Sequence, residues 1–567
     1  MGWPFHFLDL TPDEKSHRRE LLAQYAFLSQ ISVLIPIIGY GIYRLCAWLF
    51  ARKGAFNVAY SALRQLPGST ESSRESKGVS SGVLASRWRS LQWWLNGEVA
   101  PNWGLRGRWI AAIVWTLWLL VLCFLQTGHD YLHVTKRFGS VAAAQMPLLF
   151  LLSMRTRFSP LAIIFGASHE QIVHWHQLCG RIIMILLVLH GIWYINYFVQ
   201  NGILADRLQH RHSITGLISL FLMAITAGTS LERVRRWSYR VFIYCHITIG
   251  LAIWPILLLH AKPLRLYAAE ALALFIIDRV LRYLDTVIEP ATLEQVPQTE
   301  LLRLWFPLTS AKLARFQAKP GQHVYLSIPS KLTCAGSKGL LSNPFTVSEV
   351  TASEIALVLR ARSGPTTQTL RTHAGRFKTN PLICIEGPYG GYLPVAELAS
   401  GADRILLVAG GIGATFILPI YWALQEQLEL EAGGSDRLNL VWALRSAAEA
   451  DWATDSEKQT FNQNSNVHIH LTRNRFTGNT PDIAAQDEGT EMDELRESDD
   501  TIGGVKPLAG RPDLKYIVDD TFSYHADERV AVIFCGPRGM GRELRGHVGK
   551  WVTKGREVTW HEESFGW

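Results

Sequence analysis

The sequence lacks the features that disulfide-linked, zinc-binding or wholly soluble proteins depend on. It contains seven cysteines in 567 residues, and no CxxC pair is present, which argues against a disulfide framework or a zinc site. Charged residues make up 18% of the chain, whereas a typical soluble domain carries about 25%. No basic segment followed by an apolar one opens the chain, so no cleavable signal peptide is predicted. Part of the chain is therefore expected to avoid water.

Apolar residues are concentrated before about residue 288. A helix that crosses a bilayer needs about 20 mostly apolar residues. The segments that approach this length are 25–50, 108–126, 139–153, 172–195, 213–230, 239–260 and 266–288. We predict an N-terminal segment over 1–24 and then an all-α transmembrane bundle of about seven helices over 25–288.

The positive charge of the chain follows this segmentation. The formal net charge of +8 is spread through short loops between apolar segments, not gathered in one basic patch, which argues against a nucleic-acid partner. Lysine and arginine are most frequent in the loops at 51–107, 154–157 and 231–238. The positive-inside rule then places the N-terminus outside and the C-terminal half in the cytoplasm.

The C-terminal half is predicted to form two soluble domains. Short β-rich runs between turn residues over 292–395 indicate a small antiparallel β-barrel. A strand, a glycine-rich turn and a helix open the region 402–567, whose alternating pattern indicates an α/β domain with a parallel sheet. The acidic, polar stretch at about 474–512 is predicted to be a disordered insertion in that domain.

Four histidines form two equally spaced pairs in the apolar segments. His176 and His190 are 14 residues apart, as are His246 and His260. Fourteen helical residues return to within about 40° of the starting direction and rise about 21 Å, so each pair shares one helix face. Because the two helices run parallel, His176 is expected to lie level with His246 near the cytoplasmic side. His190 is expected to lie level with His260 near the outer side.

Two levels of paired imidazoles predict two haems stacked across the bilayer, each held by two histidines. A haem whose axial positions are both filled by protein has no open site for a substrate and carries single electrons. The alternative is that these histidines form polar bonds between helices, but two equally spaced pairs favour haem. His169 and His174 are alternative ligands at the inner level.

Further motifs lie in the C-terminal half. Gly410-Gly411-Ile412-Gly413 stands between a strand-like and a helical run, where a pyrophosphate can meet free N–H groups. The other motifs are Asn343-Pro344-Phe345-Thr346, Gly364-Pro365-Thr366-Thr367, Cys535-Gly536-Pro537 and the terminal EESFGW. Together with the histidine pairs, this set resembles the fungal ferric reductase family, relatives of the NADPH oxidases with a ferredoxin-reductase-like cytoplasmic half. The resemblance covers the chain from about residue 20 to residue 567, apart from the loops.

The resemblance implies that the barrel binds FAD. Phe345, after Pro344, would stack on the isoalloxazine, and Thr346 would lie near its reactive edge. The family usually has a histidine where Asn343 stands, and asparagine carries no positive charge near the flavin.

The FAD pyrophosphate is assigned by the same resemblance. Gly364 and Thr367 would hold it, and either Arg360 or Arg362 would compensate its charge.

The resemblance also implies a site for NADPH. The residues that would cradle its pyrophosphate are Gly410, Gly411, Gly413 and Thr415. Thr472 and Arg473 match the positions where the family binds the 2′-phosphate, with Arg445 assisting.

The nicotinamide end is implied by two further motifs. Cys535 and Gly536 would lie against the nicotinamide, and Trp567 or Phe565 would cover the flavin until the nicotinamide displaces it.

A transmembrane metalloreductase is the function that the resemblance implies. Electrons would pass from cytosolic NADPH through FAD and two b-type haems to ferric or cupric chelates on the opposite side, supporting iron or copper uptake. No general acid or base is needed, so no catalytic residue is assigned.

Two other functions compete with this one. An NADPH oxidase that makes superoxide shares every redox motif, but the additional N-terminal span favours the metal reductase. The intact glycine and histidine sets argue against a transporter or receptor with a vestigial reductase domain. We expect a protein of the plasma membrane, or alternatively of the vacuolar membrane, in contact with lipids and with metal-uptake machinery.

A docking site for the metal is a further hypothesis. His129 and His133 are four residues apart, so they would share one face if the second helix continued through them. His210 and His212 lie in another outer loop with Asp206 close by. Imidazole and carboxylate suit copper or iron ions, although ordinary exposed histidines explain the same pattern.

Overall fold

A computed structural model describes residues 4–62, 79–101, 103–317, 319–329, 342–362, 364–374, 380–391, 393–429, 434–454, 461, 466–472, 501–525 and 527–563. The chain divides into two compact units. The first consists of Met1–Lys77 and Trp94–Thr286, and the second consists of Gly78–Trp93 and Val287–Trp567.

Helices make up the described N-terminal half. They are α1 (Pro12–Ala62), α2 (Val79–Leu95), α3 (Arg106–Phe124), α4 (Tyr131–Ala144), α5 (Met146–Ser153), α6 (Pro160–Phe165), α7 (His169–Gln200), α8 (Leu204–Gln209), α9 (Arg211–Thr229), α10 (Glu232–Trp237), α11 (Tyr239–His260) and α12 (Leu264–Asp285).

Five of the described helices are long and apolar enough to cross a membrane. They are Pro12–Cys46 within α1, and α3, α7, α9 and α11. The third predicted span is helical but broken, because Gln145 both ends α4 and precedes α5, and Pro147 cannot donate to the helix ladder there. The seventh, α12, carries charged side chains such as Asp278 and Arg282, whose charged atoms lie 3.5 Å apart.

The helical unit has a core and an apolar outer surface. Small and medium side chains of α3, α4 and α7, such as Cys123, Ala142 and Ile183, pack together in the interior. Large apolar side chains face outward on the same helices, among them Leu117 and Ile192. A helix that is apolar on its exposed face is suited to lipid, so this pattern agrees with the predicted membrane bundle.

The second unit begins with an antiparallel sheet. Its elements are β1 (Thr286–Pro290), β2 (Thr292–Gln295), β3 (Leu301–Pro307), α13 (Ser310–Gln317), β4 (Gln322–Ser327), β5 (Asn343–Val350), β6 (Glu354–Arg360), α14 (Pro365–Ala374) and β7 (Leu382–Gly390). The strand order is β1-β7-β4-β5-β6-β3-β2. Alternate residues such as Leu302, Leu304 and Phe306 of β3 face a buried core, as expected of a sheet with one covered face.

A parallel sheet follows. Its elements are α15 (Val395–Gly401), β8 (Arg404–Gly410), α16 (Ala414–Leu428), β9 (Leu438–Leu444), α17 (Asp451–Thr454), β10 (Val467–Leu471), β11 (Leu508–Ala509), α18 (Leu514–Thr521), β12 (Val530–Cys535), α19 (Arg538–Thr553) and β13 (Val558–Glu563). The strand order is β11-β10-β9-β8-β12-β13, so β8, the first strand of this sheet along the chain, lies near its centre. Helices on both faces bury β8, β9 and β12, so these strands are almost continuously apolar. The predicted fold class is confirmed.

One helix from the N-terminal half packs on this parallel sheet. The guanidinium of Arg545 in α19 lies 4.1 Å from the ring centre of Trp93 and donates to the Trp93 carbonyl at 2.9 Å. Trp560 of β13 contacts the same indole edge-on, with ring centres 5.7 Å apart. Arg89 donates to the Gly555 carbonyl at 3.2 Å. The part of α2 up to Trp93 therefore belongs structurally to the second unit.

The predicted disordered insertion at 474–512 is too long at its C-terminal end. Residues 501–512 are described, and Leu508 and Ala509 pair in parallel with His470 and Leu471. Ile502 is buried in the core of the domain. An apolar side chain and a strand edge hold this part in place, although its composition is polar. The remainder of the predicted insertion lies outside the described residues.

Candidate electron-transfer site

The four paired histidines all have one ring nitrogen fixed by a hydrogen bond. His176 and His190 donate from Nδ1 to the carbonyls of Leu149 at 2.9 Å and Thr135 at 2.7 Å. The Nδ1 atoms of His246 and His260 lie 3.2 Å from Ser230 Oγ and 2.9 Å from the His212 carbonyl. A hydrogen bond at Nδ1 sets the ring orientation and leaves Nε2 as the nitrogen available to a metal, an arrangement that is usual for histidines that bind metals.

At the inner level the two imidazoles lie close together. The ring centres of His176 and His246 are 6.1 Å apart, so both rings can reach one metal ion with metal–nitrogen bonds of about 2 Å. A Cβ built on Gly139 would lie 2.7 Å from the His190 ring, and one on Gly216 would lie 2.7 Å from the His260 ring. Glycine at these two positions is therefore required by the imidazoles. At both levels the chain thus supplies imidazoles with a fixed ring orientation, which are the donors that a haem held by two histidines uses.

The helices that carry the histidines are spaced in a way that agrees with this fit. α9 packs against both α7 and α11, whereas direct contact between α7 and α11 is sparse in the described chain. Cofactor sites of helix bundles are built in this way, from side chains that project from facing helices into the interior. Of the alternative ligands, His169 bonds through Nδ1 to the Met154 carbonyl at 3.2 Å.

The hypothesis of a shared helical face for His129 and His133 is wrong. α4 begins at Tyr131, and His129 lies before it with φ 60°, bonded to the Pro4 carbonyl at 2.9 Å. His133 is buried, with its Nε2 2.9 Å from Arg137 Nη2. Asp130 caps α4 by accepting from the Leu132 and His133 amides, which turns the chain between the two histidines.

In the second outer loop of the metal-docking hypothesis, the His210 and Asp206 side chains lie close to each other. His210 Nε2 lies 3.4 Å from Asp206 Oδ2, and both are exposed. His212 is bonded to the His260 carbonyl at 2.6 Å. No cluster of three or more histidine, cysteine or acidic side chains that could hold a metal ion occurs among the described residues.

The residues assigned to the flavin lie on the antiparallel sheet. Phe345 and Thr346 are on β5, opposite Val324 and His323 of β4. Thr346 is buried, and Phe345 is half-buried against the barrel core. Pro344 pairs with Tyr325 in the same register. β5 thus presents the predicted motif on one continuous strand.

The residues assigned to the FAD pyrophosphate lie at the start of α14. Gly364 precedes this helix and accepts from the Gln368 amide at 3.0 Å, so the first free N–H groups of α14 lie beside it. The Thr367 hydroxyl is 2.8 Å from the Arg362 carbonyl and 3.2 Å from the Arg362 amide, so it holds the loop in place. Arg362 is exposed, but Arg360 points elsewhere, to a carboxylate of the parallel-sheet domain.

The residues assigned to NADPH collect at the carboxyl edge of the parallel sheet. Gly410 pairs with Ala443, Cys535 with Ala409, and Leu471 with Leu444. The strands β8, β9, β10 and β12 therefore end at the same level. The glycine-rich turn follows β8, and Arg445, Thr472 and Gly536 follow the other three strands in that order. Ligands of open α/β sheets bind at this edge.

The glycine-rich turn and the Cys535-Gly536-Pro537 turn are packed against each other. A Cβ on Gly413 would lie 2.1 Å from the Cys535 carbonyl oxygen, and one on Gly410 would lie 2.4 Å from Pro537 Cδ. Gly411 has φ +55°. Thr415, assigned to the pyrophosphate, is buried and its hydroxyl donates to the Ile412 carbonyl at 2.9 Å. Glycine is therefore needed here for close packing as well as for approach to a phosphate.

The thiol at this edge is held in its neutral form. Cys535 is buried, and burial raises the pKa of its thiol well above the usual value, with Glu563 and Glu562 acting in the same direction. A neutral thiol is a small apolar surface, which suits contact with a nicotinamide ring.

Three assigned residues lie outside the described part of the chain. They are Arg473, Phe565 and Trp567. Their roles stay predictions.

Two partners of the assigned residues were missed in the sequence. Glu449 accepts from Arg360 at 2.7 Å, and Ser230 bonds His246. Ser230 could have been found, since it follows α9 on the side where His246 was placed. Glu449 is 89 positions from Arg360 along the chain, and no local pattern marks such a pair.

A helical unit with paired histidines, joined to a flavin-type barrel and a dinucleotide-type parallel sheet, defines a membrane-bound flavoprotein oxidoreductase. Three family models match in the corresponding order. "Ferric reductase like transmembrane component" matches 138–257, "FAD-binding domain" matches 289–392, and "Ferric reductase NAD binding domain" matches 402–548. The chain therefore carries a ferric-reductase-like transmembrane region, an FAD-binding domain and a ferric-reductase-type NAD-binding domain.

Individual relatives agree with these three matches. The chain is 27% identical over 458 residues to "Ferric/cupric reductase transmembrane component 2" of Saccharomyces cerevisiae, covering 77% of this chain and 62% of the relative. "Ferric reductase transmembrane component 3" of the same yeast is 25% identical, with the same coverage of 77% and 62%. A "Probable ferric reductase transmembrane component" of Eremothecium gossypii is 31% identical over 44% of this chain and 37% of its own length. The chain thus spans less than two thirds of the length of these relatives.

Proposed function

We propose that the protein is a transmembrane metalloreductase that moves electrons from NADPH to ferric or cupric chelates. The observation that carries the proposal is the set of four histidines whose Nδ1 atoms are all hydrogen-bonded and whose Nε2 atoms are left for a metal. Two haem b groups would be held by His176 with His246 and by His190 with His260. When bound, FAD and the haems supply the conversion of a two-electron donor into single-electron transfers.

The residues of the chain position these groups. Thr135, Leu149 and Ser230 fix the histidine rings, and Gly139 and Gly216 make room for them. Arg362 and the start of α14 compensate the FAD pyrophosphate, and the carboxyl edge of the parallel sheet binds NADPH. Because no proton has to be moved by a side chain, no catalytic acid or base is part of the proposal.

The arrangement in the membrane follows from the number of spans. Five helices qualify by length and composition, and adding α4–α5 and α12 makes seven. Either odd number places the N-terminus and the second unit on opposite sides. The basic loops favour a cytoplasmic second unit, and reduction then occurs outside. The plasma membrane, and a supporting role in iron or copper uptake, complete the proposal, with the vacuolar membrane as the alternative.

An acceptor assay tests this function. Membranes that contain the protein are given NADPH and one acceptor at a time: a ferric chelate, a cupric salt or oxygen. We expect NADPH oxidation with the two metal acceptors, and a reduced-minus-oxidised spectrum with b-type bands. Oxidation with oxygen alone, with release of superoxide, would instead identify an NADPH oxidase. Absence of b-type bands would refute the haem assignment.

A further inference from the structure

Arg360 occupies a place between the two folds of the second unit. It is the last residue of β6, and its Nη2 donates to Glu449 Oε1 at 2.7 Å. Glu449 lies in the 3-10 turn Ala447–Ala450 that follows β9. Both side chains are largely buried, with 17% and 11% of their surface exposed. The ion pair therefore joins the barrel to the carboxyl edge of the parallel sheet.

The Arg360 guanidinium also faces the glycine-rich turn. A Cβ built on Gly411 would lie 3.9 Å from Arg360 Nη2. The Gly411 carbonyl is turned inward, since it accepts from Trp442 Nε1 at 3.1 Å. The open side of this turn, where a pyrophosphate would approach, is thus the side on which the guanidinium lies.

Arg360 has hydrogen-bonding capacity left over. Its Nε is buried and has no hydrogen-bond partner among the described residues. A guanidinium carries five N–H donors in a fixed fork that matches two oxygens of a phosphate. The Nε atoms of Arg89 and Arg556 are buried in the same way, so it is the position of the Arg360 guanidinium beside Gly411 that marks it for a phosphate.

We propose that Arg360 binds the pyrophosphate of the incoming nicotinamide dinucleotide and that Glu449 is its positioning residue. The proposal deepens the proposed function and rests on its use of NADPH. Before the dinucleotide arrives, Glu449 neutralises the guanidinium and holds it beside Gly411, because a buried unpaired cation is costly. The pyrophosphate then binds the guanidinium donors that Glu449 leaves free, and the negative charge of the Glu449 carboxylate opposes it.

This assignment differs from the one that the family resemblance gave to Arg360. Arg360 and Arg362 were equal candidates for the FAD pyrophosphate. The Arg362 amide donates to the Thr367 hydroxyl of α14 at 3.2 Å, whereas the Arg360 guanidinium lies beside Gly411 of the glycine-rich turn. The two arginines should therefore affect different ligands.

Binding of NADP⁺ to the purified FAD-loaded protein tests the proposal. R360Q should weaken NADP⁺ binding on the order of 10-fold or more, as expected for loss of a charged hydrogen bond. The Michaelis constants for NADPH and NADH should rise by the same factor, because both carry the pyrophosphate. FAD content, measured by flavin fluorescence after denaturation, should stay at the wild-type level.

The role of Glu449 is tested with the conservative change and the double variant. E449Q removes the competing charge and keeps an oxygen acceptor, so NADP⁺ binding should tighten several-fold. In R360Q/E449Q the second change should have no further effect, since Glu449 acts through Arg360. The double variant leaves no buried charge unpaired, so it also separates binding from misfolding.

A second ion pair of the barrel provides the matched control. Arg303 Nη2 lies 3.3 Å from Glu349 Oε2, and both side chains are similarly buried. R303Q/E349Q should leave NADP⁺ affinity unchanged, and R362Q should lower FAD retention instead.

Two outcomes would overturn the inference. If R360Q loses FAD while its NADP⁺ affinity after FAD addition equals wild type, Arg360 serves the flavin. If E449Q has the same effect with and without R360Q, Glu449 does not act through Arg360. Failure of the metal-reductase function would show as a wild-type protein that binds NADP⁺ but reduces no metal, which is a different result.

Discussion

The two units of the protein distribute apolar and polar side chains in opposite ways. In the helical unit, large apolar residues are exposed, such as Phe221 at 66% and Ile35 at 67%. Polar groups lie inside, where Arg137 is fully buried and donates to the Leu122 carbonyl at 3.0 Å. In the second unit, the central strands of the parallel sheet are apolar and buried, and the residues assigned to NADPH follow the ends of these strands.

The difference shows how each unit can place functional groups. A bundle that faces lipid can hold imidazoles and their hydrogen-bond partners in its interior, because apolar surface need not be hidden from water. A unit surrounded by water must fill its interior with apolar residues, so its ligand sites lie at the carboxyl edge of the sheet. The two units therefore tolerate different substitutions.

The largest effect is expected for a ligand in the bundle. His246→Ala removes one of the paired imidazoles and should abolish transmembrane reduction. We expect a loss greater than about 100-fold, beyond the roughly 10- to 100-fold that follows loss of a residue that orients a metal ligand. Reduction of a soluble dye by NADPH should persist, because that step needs only the second unit.

The control for this variant is an exposed histidine of the same unit. His210→Ala removes the contact with Asp206 and should leave the haem spectrum and metal reduction unchanged. Full transmembrane activity and normal haem content in His246→Ala would contradict the assignment.

The second-largest effect is expected for a variant that disturbs the carboxyl edge of the parallel sheet and leaves the helical bundle intact. In Gly413→Ala the new methyl group would lie 2.1 Å from the Cys535 carbonyl oxygen, so the two turns must separate. Overpacking of this kind costs about 1–3 kcal/mol or more. NADPH oxidation should fall sharply, while dithionite still produces the b-type spectrum.

Gly546→Ala is the matched control, because a Cβ at this helical position has no atom within 4 Å. It should stabilise the domain by about 1 kcal/mol, the usual gain of alanine over glycine in a helix. Equal loss of NADPH oxidation in both variants would show that close packing at Gly413 is unimportant.

A third, smaller effect concerns the pH response at the same edge. Burial raises the pKa of the Cys535 thiol, so the folded protein keeps it protonated. Iodoacetamide at pH 8 should label Cys535 slowly in the folded protein and rapidly after unfolding, as measured by mass spectrometry. The contribution to stability should be complete below about pH 8.5, where the unfolded thiol titrates, and lost as the pH rises above it.

Local patterns in the sequence predicted part of each unit, whereas contacts between distant residues were not predicted. The histidine pairs and the glycine-rich turn were found because helix periodicity and strand-turn-helix order are local patterns. The break at Gln145 and the packing of α2 on the parallel sheet were not found. Trp93 and Trp560 are far apart in the chain, and their contact depends on tertiary packing. The Arg360–Glu449 pair has the same origin, since it joins two folds.

The smallest expected effect is at an exposed ion pair of the second unit. Asp403 Oδ2 lies 3.2 Å from Arg529 Nε, and 46% of the arginine side chain and 41% of the aspartate side chain are exposed. Hydrogen bonds from the Arg529 side chain and amide lower the pKa of Asp403. A lowered pKa stabilises the fold above the unfolded value of about 3.9, and the contribution disappears as the pH falls through the folded value. At pH 7, Asp403→Asn should therefore lower the free energy of unfolding by only a few tenths of a kcal/mol, because solvent screens the pair.

Urea unfolding at pH 7 measures this difference, and it should shrink in high salt and vanish when the pH is lowered. If the free energy of unfolding falls by more than about 1 kcal/mol and the fall does not depend on salt, this pair does not behave as an exposed ion pair. It would also mean that the rim of the parallel sheet tolerates charge changes no better than the interior of the bundle does.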